Sequence, residues 1–548
     1  MKQITVLMLT ICFGFSIPTA AQNGNSTPRR HPAISPVQDR ERVTFPASIE
    51  TSVNNFLQPD VWKSKPKPNA AEATRISQLA QPGGNWGGAG CPSATLLKSL
   101  VDNYLSSTHP NFPELGRTVP GVSVSWSSPI CGTFTYATGL RNIEQNKLMT
   151  PATLMGIASM TKPIIAAITL QLSDSGVFGP NGLDTTIDEL LTPQQITALT
   201  VGENPLQPKC PGFTYLFNRD TYSYEWKAFS CPDLSQVTLR HLMRANHGMY
   251  DFISEVLLPN GSLQIDNGVF FDLYQFLGLD PVPPVSSRNG FDYLKEYGLK
   301  RNDSAVLGGA SGRDFERSFG NTGFQLLAVI LEQKTGRSLD DRIEKLIVEP
   351  LKIDPIFLYV DRSKRSSLIA DSYDLYTGEP LIETTGVYPI VNHNGHTAIN
   401  TLSLGLGHPA NINLAGGAGG LVANPKSYRV FLNAFVDGGL LSPAAQNELN
   451  HSYVAIPDLS SIQVGLSNGF GLFEYKLRGF AGLPDLDIIS HGGLLPGVRC
   501  ENAVMRPPDS AMLLATGVIC QNASLGAADP FSLELEFINA MGSLSPGP

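Results

Sequence analysis

Ser159-Met160-Thr161-Lys162 sets a hydroxyl and an amine three residues apart. A serine hydroxyl is a poor nucleophile until a neighbouring group takes its proton. On a helix, residues three apart share a face, so Lys162 can reach the Ser159 oxygen. Pro163 limits where that helix begins, because Pro is tolerated in a first turn, whose N–H groups lack intrahelical partners, and is harmful farther in. Ser159 is therefore predicted at a helix start, where free N–H donors and the positive end of the dipole favour an oxyanion. The chemistry open to such a pair is acyl transfer through a covalent serine intermediate. The tetrapeptide alone is a weak sign, since roughly two such spacings arise by chance in a chain this long. An ordinary surface Ser and Lys is the competing reading.

The elements that must carry the pair can be read around it. From Ser159, the apolar residues Ile164, Ile165, Ile168 and Leu172 fall on one helical face, and Gly176 supplies a stop. Upstream, Ser93 can cap a helix with Leu96, Leu97, Leu100, Val101 and Leu105 at helical spacing. Val122, Val124 and Trp126 then alternate with serines, Ser128-Pro129 turns the chain, and Phe134 and Tyr136 alternate with threonines, which predicts a hairpin. Strands return from Gly497 to Met505 and from Ala511 to Cys520, and a last helix from about Pro530 to Met541 carries Leu533, Phe537 and Met541. The middle reads as helical segments separated by long Pro/Gly-rich loops. Strands at both ends closing one sheet imply an α+β fold: an antiparallel sheet flanked by helices, with an inserted, mainly helical region. The expected boundaries are a signal peptide at 1–21, a low-complexity leader at 22–90 and one domain at 91–545. Its sheet part is 91–158 with 470–545, and its helical part 159–469.

Met155-Gly156-Ile157-Ala158-Ser159-Met160-Thr161-Lys162-Pro163 resembles the first motif of the serine β-lactamase and DD-peptidase-like family, which includes class C β-lactamases, D-Ala-D-Ala carboxypeptidases and esterases. Other blocks follow in that family's order. Thr238 to Met243 with His247-Gly248-Met249 is similar to the block after its first helices, and Asn321 to Leu327 to the start of its second-motif helix. Gly416 to Val422 with Phe431 to Ser442 resembles its Gly-Gly-Leu segment, and His491-Gly492-Gly493 with Pro496-Gly497 its third motif. The likeness spans roughly Cys91 to Met541 with long insertions; the blocks are specific jointly, not singly.

The resemblance implies a β-lactamase/transpeptidase-like fold and roles for individual residues. Ser159 becomes the acylated nucleophile and Lys162 its base, while Asn321 positions the lysine and a substrate amide. His491, Gly492 and Gly493 form the facing wall, and the Leu494 N–H joins the Ser159 N–H as an oxyanion hole. The chain departs from the family at Phe319-Gly320-Asn321, where the family has Tyr-x-Asn. Phe319 can line the substrate site but cannot exchange a proton, and no Tyr lies between Tyr297 and Asn321. Two readings follow. One is a hydrolase of an ester or amide, small molecule or peptide, with Lys162, His491 or a water covering the lost proton transfer. The other is a pseudoenzyme that keeps the cleft for binding or regulation.

Several spellings are weighed and set aside. Lys334-Thr335-Gly336 spells the third motif of related enzymes but follows Asn321 too closely, and Gly336 reads as a helix cap. Gly465-Leu466-Ser467-Asn468-Gly469 spells a nucleophile elbow without the strand and long helix an elbow needs. His393 and His396 lack companions at metal-ligand spacing. The Gly416 to Gly420 run lacks the Lys-Ser/Thr of a phosphate loop, so tight backbone packing is expected there. No metal and no organic cofactor is implied.

Composition bounds the rest. The chain has 548 residues, 42% of them hydrophobic, which allows a large core. Its 39 Lys and Arg against 48 Asp and Glu give a net charge of -9, and no basic run marks a nucleic-acid footprint. Lys2, the apolar stretch from Ile4 to Ile17 and the small residues Thr19, Ala20 and Ala21 form a secretory signal. No later segment reads as a membrane span. A secreted, extracellular protein is expected, or a periplasmic one in a bacterium. Cys12 lies in the signal, and the other six cysteines suggest, by their order, bridges Cys91–Cys131, Cys210–Cys231 and Cys500–Cys520. Asn25, Asn260, Asn302, Asn450 and Asn522 begin sequons that would accept glycans in a eukaryotic host. Nothing in the sequence sets an oligomeric state.

Overall fold

The computed structural model describes residues 90–106, 119–201, 210–218, 223–249, 299, 301–302, 307–308, 320–358, 369–375, 390–393, 396–400, 416–456, 464–479, 483–495, 497–523 and 530–542. The expected signal at 1–21, nearly all of the leader at 22–90 and most of residues 251–312 lie outside these residues.

The described chain begins with helix α1 (Ala94–Ser106), whose first turn is capped by the Ser93 hydroxyl accepting from the Leu96 N–H at 3.0 Å. Strands β1 (Gly121–Ser128) and β2 (Gly132–Asn142) form the expected hairpin, followed by the short β3 (Lys147–Leu148) and β4 (Met155–Gly156). Helix α2 (Thr161–Asp174) comes next, buried over most of its length, and it stops at Ser175 and Gly176, where Gly176 takes φ 74°. The middle holds β5 (Gly212–Asn218), β6 (Ser223–Ser230), the one-turn α3 (Leu239–Met243), β7 (Arg301–Asn302), α4 (Thr322–Thr335), β8 (Phe357–Leu358), β9 (Tyr373–Leu375), β10 (Ile390–His393) and β11 (His396–Asn400). After these come β12 (Leu421–Ala423), α5 (Pro425–Val436), α6 (Pro443–Asn450), β13 (Val454–Ala455), β14 (Val464–Asn468), β15 (Phe473–Leu477), β16 (Leu486–Ser490), β17 (Gly493–Leu495), β18 (Val498–Arg506), β19 (Ala515–Gln521) and α7 (Pro530–Gly542).

One antiparallel sheet runs β13-β14-β15-β16-β18-β19-β1-β2-β3, with β17 pairing on β18. Its closure is β1 on β19, from Val122 opposite Gln521 to Ser127 opposite Thr516, which joins strands from the two ends of the domain. This is the expected α+β, β-lactamase/transpeptidase-like fold. Helices cover both faces: α1 and α7 pack on one side, α5 on the other, with α2 and α4 behind. Alternation along β1 shows both contacts. Trp126 stacks on Phe537 of α7 at 5.1 Å between ring centres, while Ser125 and Ser127 meet Arg429 of α5.

The region 159–469 holds more strand than its sequence pattern suggests. Strands β13 and β14 extend the large sheet ahead of residue 470, β5-β6-β7 and β9 to β11 form two small sheets, and β8 and β12 form a third with β4, which lies just before the region. Pieces as short as β4, β8 and β12 carry no local periodicity; pairing partners far along the chain define them. All three expected disulfides are present, Cys91–Cys131, Cys210–Cys231 and Cys500–Cys520. One sequon is corrected: Asn522 is buried and its amide donates to Leu140 O and Asp371 O, so it offers no place for a glycan. Among the described residues no helix is long and apolar enough to cross a membrane.

Gly517 lies opposite Trp126, and a Cβ there would fall 2.1 Å from the indole. Gly517→Ala is expected to force the indole off Phe537 and cost about 1–3 kcal/mol, read as a lower urea midpoint with an unchanged slope.

Candidate active site

Segments far apart in sequence meet at the Lys162 amine. The chain enters α2 through a 3-10 turn, Ala158–Met160, in which Met160 N–H donates to Ile157 O at 3.1 Å. Ala158 takes φ 47°, a left-handed conformation that costs an L-residue about 1–2 kcal/mol. This kink places Ser159 one turn ahead of the helix proper, partly exposed, and puts Pro163 within the first turn, where its missing N–H has no partner to lose. The Tyr428 hydroxyl of α5 donates to Met160 O at 2.7 Å and Ile157 N–H donates to Leu421 O at 2.9 Å, so the turn is pinned on two sides.

Lys162 is 1% exposed, and its Nζ lies 2.9 Å from each of three oxygens: Ser159 Oγ, Asn321 Oδ1 and Ala418 O. The Phe324 ring adds a face 5.9 Å from the nitrogen. An ammonium has three N–H donors, and each finds an acceptor. As a neutral amine, Lys162 can give its two N–H groups to Asn321 and Ala418, which turns its lone pair to the Ser159 hydroxyl. The same heavy-atom positions therefore fit a proton on either partner.

Each acceptor is held by packing. Asn321 is the N-cap of α4, but its side chain makes no capping bond and points to Lys162 instead. The start of α4 is pressed against the Thr238–His247 block: a Cβ on Gly323 would sit 2.8 Å from His247 Cδ2 and from Leu242 O. Thr238 caps α3 in a capping box with His241. The segment bearing Ala418 is wedged in by Gly416 and Gly417, whose Cβ atoms would overlap Gln325 Oε1 at 2.2 Å and Ala328 Cβ at 2.4 Å. Gln325 Oε1 accepts the Gly417 N–H at 3.1 Å, and β12 then pairs with β4 just ahead of the Ser159 turn.

The facing wall is β17. A Cβ on Gly493 would stand 2.2 Å from Ile157 O, so only glycine lets this strand approach the turn before Ser159. A Cβ on Gly492 would meet Glu501 Oε2 at 2.5 Å. Leu494, partly exposed, pairs with Arg499. His491 is buried; its backbone N–H donates to Asn502 Oδ1 at 3.3 Å, and Asn502 returns a bond to His491 O. Its Nδ1 lies 2.7 Å from Gly492 O. A carbonyl only accepts, so Nδ1 carries the proton of the neutral ring and Nε2 is the bare nitrogen. Burial first, then the charge of Lys162, push His491 down to about 3, against the opposing effect of the Gly492 carbonyl. The ring is therefore neutral at pH 7, not cationic.

A family model described as Beta-lactamase matches residues 117–507. The chain belongs to the Beta-lactamase family. Solved structures agree on the fold of this Beta-lactamase-family chain. It is similar to a D-amino acid amidase from Ochrobactrum anthropi SV3, at 17% identity and a TM-score of 0.52, covering 82% of this chain and 97% of that one. A D-stereospecific amidohydrolase from Streptomyces sp. matches at 18% identity and a TM-score of 0.52, over 81% of this chain and 98% of that one. A penicillin binding protein from Bacillus halodurans matches at 16% identity and a TM-score of 0.51, over 80% and 98%. No curated protein sequence matches.

Of the residues singled out from sequence, Ser159, Lys162 and Asn321 meet in direct hydrogen bonds, and Gly493 abuts the Ser159 turn. Phe319 lies outside the described residues. The site also uses groups that sequence reasoning missed: the Ala418 carbonyl, Gln325, Tyr428 and Asn502. None of these carried a local signal, and Asn502 lies in a strand that also bears Arg499 and Glu501. Of the alternatives, Lys334 and Thr335 end α4, with Gly336 at φ 61° as its cap. Ser467 sits inside β14, and His393 pairs with His396 across the β10–β11 hairpin.

His247, like His491, is held neutral and down to about 3, chiefly by burial and then by His241. Both rings bind a proton near pH 6.5 when unfolded and near 3 when folded, so stability is full above 6.5 and falls as pH drops through that window. Each contributes roughly 1.4 kcal/mol per pH unit. Urea midpoints should drop from pH 7.5 to pH 5, and His247→Gln should narrow the drop; an equal drop in the variant contradicts the assignment.

Proposed function

We propose that this chain is an exported serine hydrolase that cleaves an ester or amide bond, in a small molecule or a peptide, through an acyl-enzyme on Ser159. The observation that carries the reading is the Lys162 amine, buried and shared among Ser159 Oγ, Asn321 Oδ1 and Ala418 O. Lys162 takes the Ser159 proton as Oγ bonds to the substrate carbonyl carbon. The oxyanion lies on the N–H groups of Ser159 and Leu494, with the helix start adding positive potential. As the intermediate collapses, the bond to the leaving oxygen or nitrogen breaks, and Lys162 returns the proton to it. Water then repeats the sequence and frees Ser159. Asn321 holds the lysine and a substrate amide; neutral His491 holds the Gly492 peptide, so that β17 stands as the opposite wall. Amide hydrolysis is supported by the amidase and amidohydrolase among the structural relatives. Export is supported by the signal-like pattern at 1–21 and by three disulfides, which persist in oxidising compartments.

The second reading rests on Phe319, which stands in sequence where the family has Tyr. On that reading the cleft binds a ligand and does not turn it over.

Mass spectrometry after incubation with a fluorophosphonate or a β-lactam separates the two. A stable adduct on Ser159, lost in Ser159→Ala, is expected; no adduct with any acyl donor overturns the hydrolase. Lys162→Met should slow acylation by about 10²–10⁴-fold, the usual worth of a proton-transfer group. Phe319→Tyr should raise turnover, and an unchanged rate would mean that Lys162 already serves both proton transfers.

A further inference from the structure

Arg429 on α5 is buried, 7% exposed, against the middle of the large sheet. Its Nε donates to Ser125 Oγ at 3.0 Å and its Nη1 to Ser127 Oγ. Ser125 Oγ lies 3.3 Å from Thr135 Oγ1 on the neighbouring strand. Among the described residues no carboxylate pairs with this guanidinium, and burial alone lowers it to about 10. Nη2 makes no hydrogen bond and is not sealed from solvent. The hydroxyls accept from the arginine, so their own hydrogens point elsewhere. Ser125 and Thr135 use one of their two hydroxyl hydrogens in the bond between them, so that pair keeps one hydrogen to donate and the partly exposed Ser127 keeps another. The result is a desolvated positive charge flanked by hydroxyls, with no negative charge opposite among the described residues. A buried charge without a partner is costly, and planar guanidinium with hydroxyl donors is the chemistry that takes tetrahedral oxyanions.

We propose that Arg429, Ser127 and Thr135 form a binding site for a small inorganic oxyanion, sulfate or phosphate, between α5 and the β1–β2 face of the sheet. The site is separate from Ser159, and the proposal does not depend on the hydrolase reading. Arg429 follows Tyr428, whose hydroxyl pins the nucleophile turn from the other side of the same helix.

The test is calorimetric titration of sulfate, and separately phosphate, into the full-length, disulfide-bonded protein at constant ionic strength, with acetate as comparison. Saturable one-site binding of sulfate or phosphate is expected in the wild type, about tenfold weaker in Arg429→Gln, as for loss of a charge-assisted hydrogen bond. Ser127→Ala keeps the cation and its packing, and should weaken binding several-fold should Arg429→Gln fail to fold. Absence of saturable binding in the wild type overturns the site, as does saturation by acetate alone. Equal affinity in wild type, Ser127→Ala and Arg429→Gln overturns it too, because the anion then binds elsewhere.

Discussion

The Lys162 amine organises this molecule. A Lys side chain almost devoid of solvent must find a partner for every N–H. Here the partners come from residue 159, one turn away, and from residues 321 and 418, which are reached only through the tertiary fold. Removing one acceptor would leave a buried donor unpaired, at a cost of about 1–3 kcal/mol or more. The arrangement of α2, α4 and the glycine-rich segment ahead of β12 is thereby tied to one atom. The sheet contributes from the opposite side, since β17 and β18 pack against the turn that carries Ser159.

Close approach is what these segments require, and glycine provides it where any Cβ would collide with backbone or with a fixed side chain. At Gly493 the obstacle is Ile157 O, and at Gly417 it is Phe324 O with Ala328 Cβ. At Gly471, with φ 67°, it is the Lys162 carbonyl itself, 3.0 Å away. The first and last of these contacts fall on Ile157 and Lys162, on either side of Ser159 in the chain, and the second on α4. The strained φ of Ala158 persists because the turn is held by Tyr428, by Leu421 and by β17 at once.

That division explains what could be read from sequence. Ser159, Lys162 and Pro163 form a local pattern whose spacing has direct geometric meaning, so the pair was legible before any fold was known. Cysteine order likewise foreshadowed three bridges between neighbours in the chain. Asn321 and His491 were legible only through resemblance, because nothing local marks their targets. The Ala418 carbonyl was invisible, since a backbone acceptor carries no residue identity. Tyr428 carried no signal in the sequence; only the tertiary fold brings its hydroxyl to Met160 O. The neutral state of His491 was hidden for the same reason, because burial and the nearness of Lys162 are tertiary facts.

The proton inventory of the site follows from this packing. With His491 neutral and its Nδ1–H engaged by Gly492 O, Lys162 is, among the described residues, the titratable group in hydrogen-bond contact with Ser159 Oγ. Three acceptors at equal distance make proton exchange between them undemanding. The ammonium fits with Ser159 as acceptor, and the amine fits with Ser159 as donor, and neither requires a heavy atom to move. A site whose two protonation states share one geometry needs little reorganisation when charge shifts, which is the condition for preorganised electrostatic stabilisation. The packing that surrounds Lys162 with acceptors therefore serves either protonation state, and Gly416 and Gly417 let the segment bearing one of those acceptors, Ala418 O, lie close against α4.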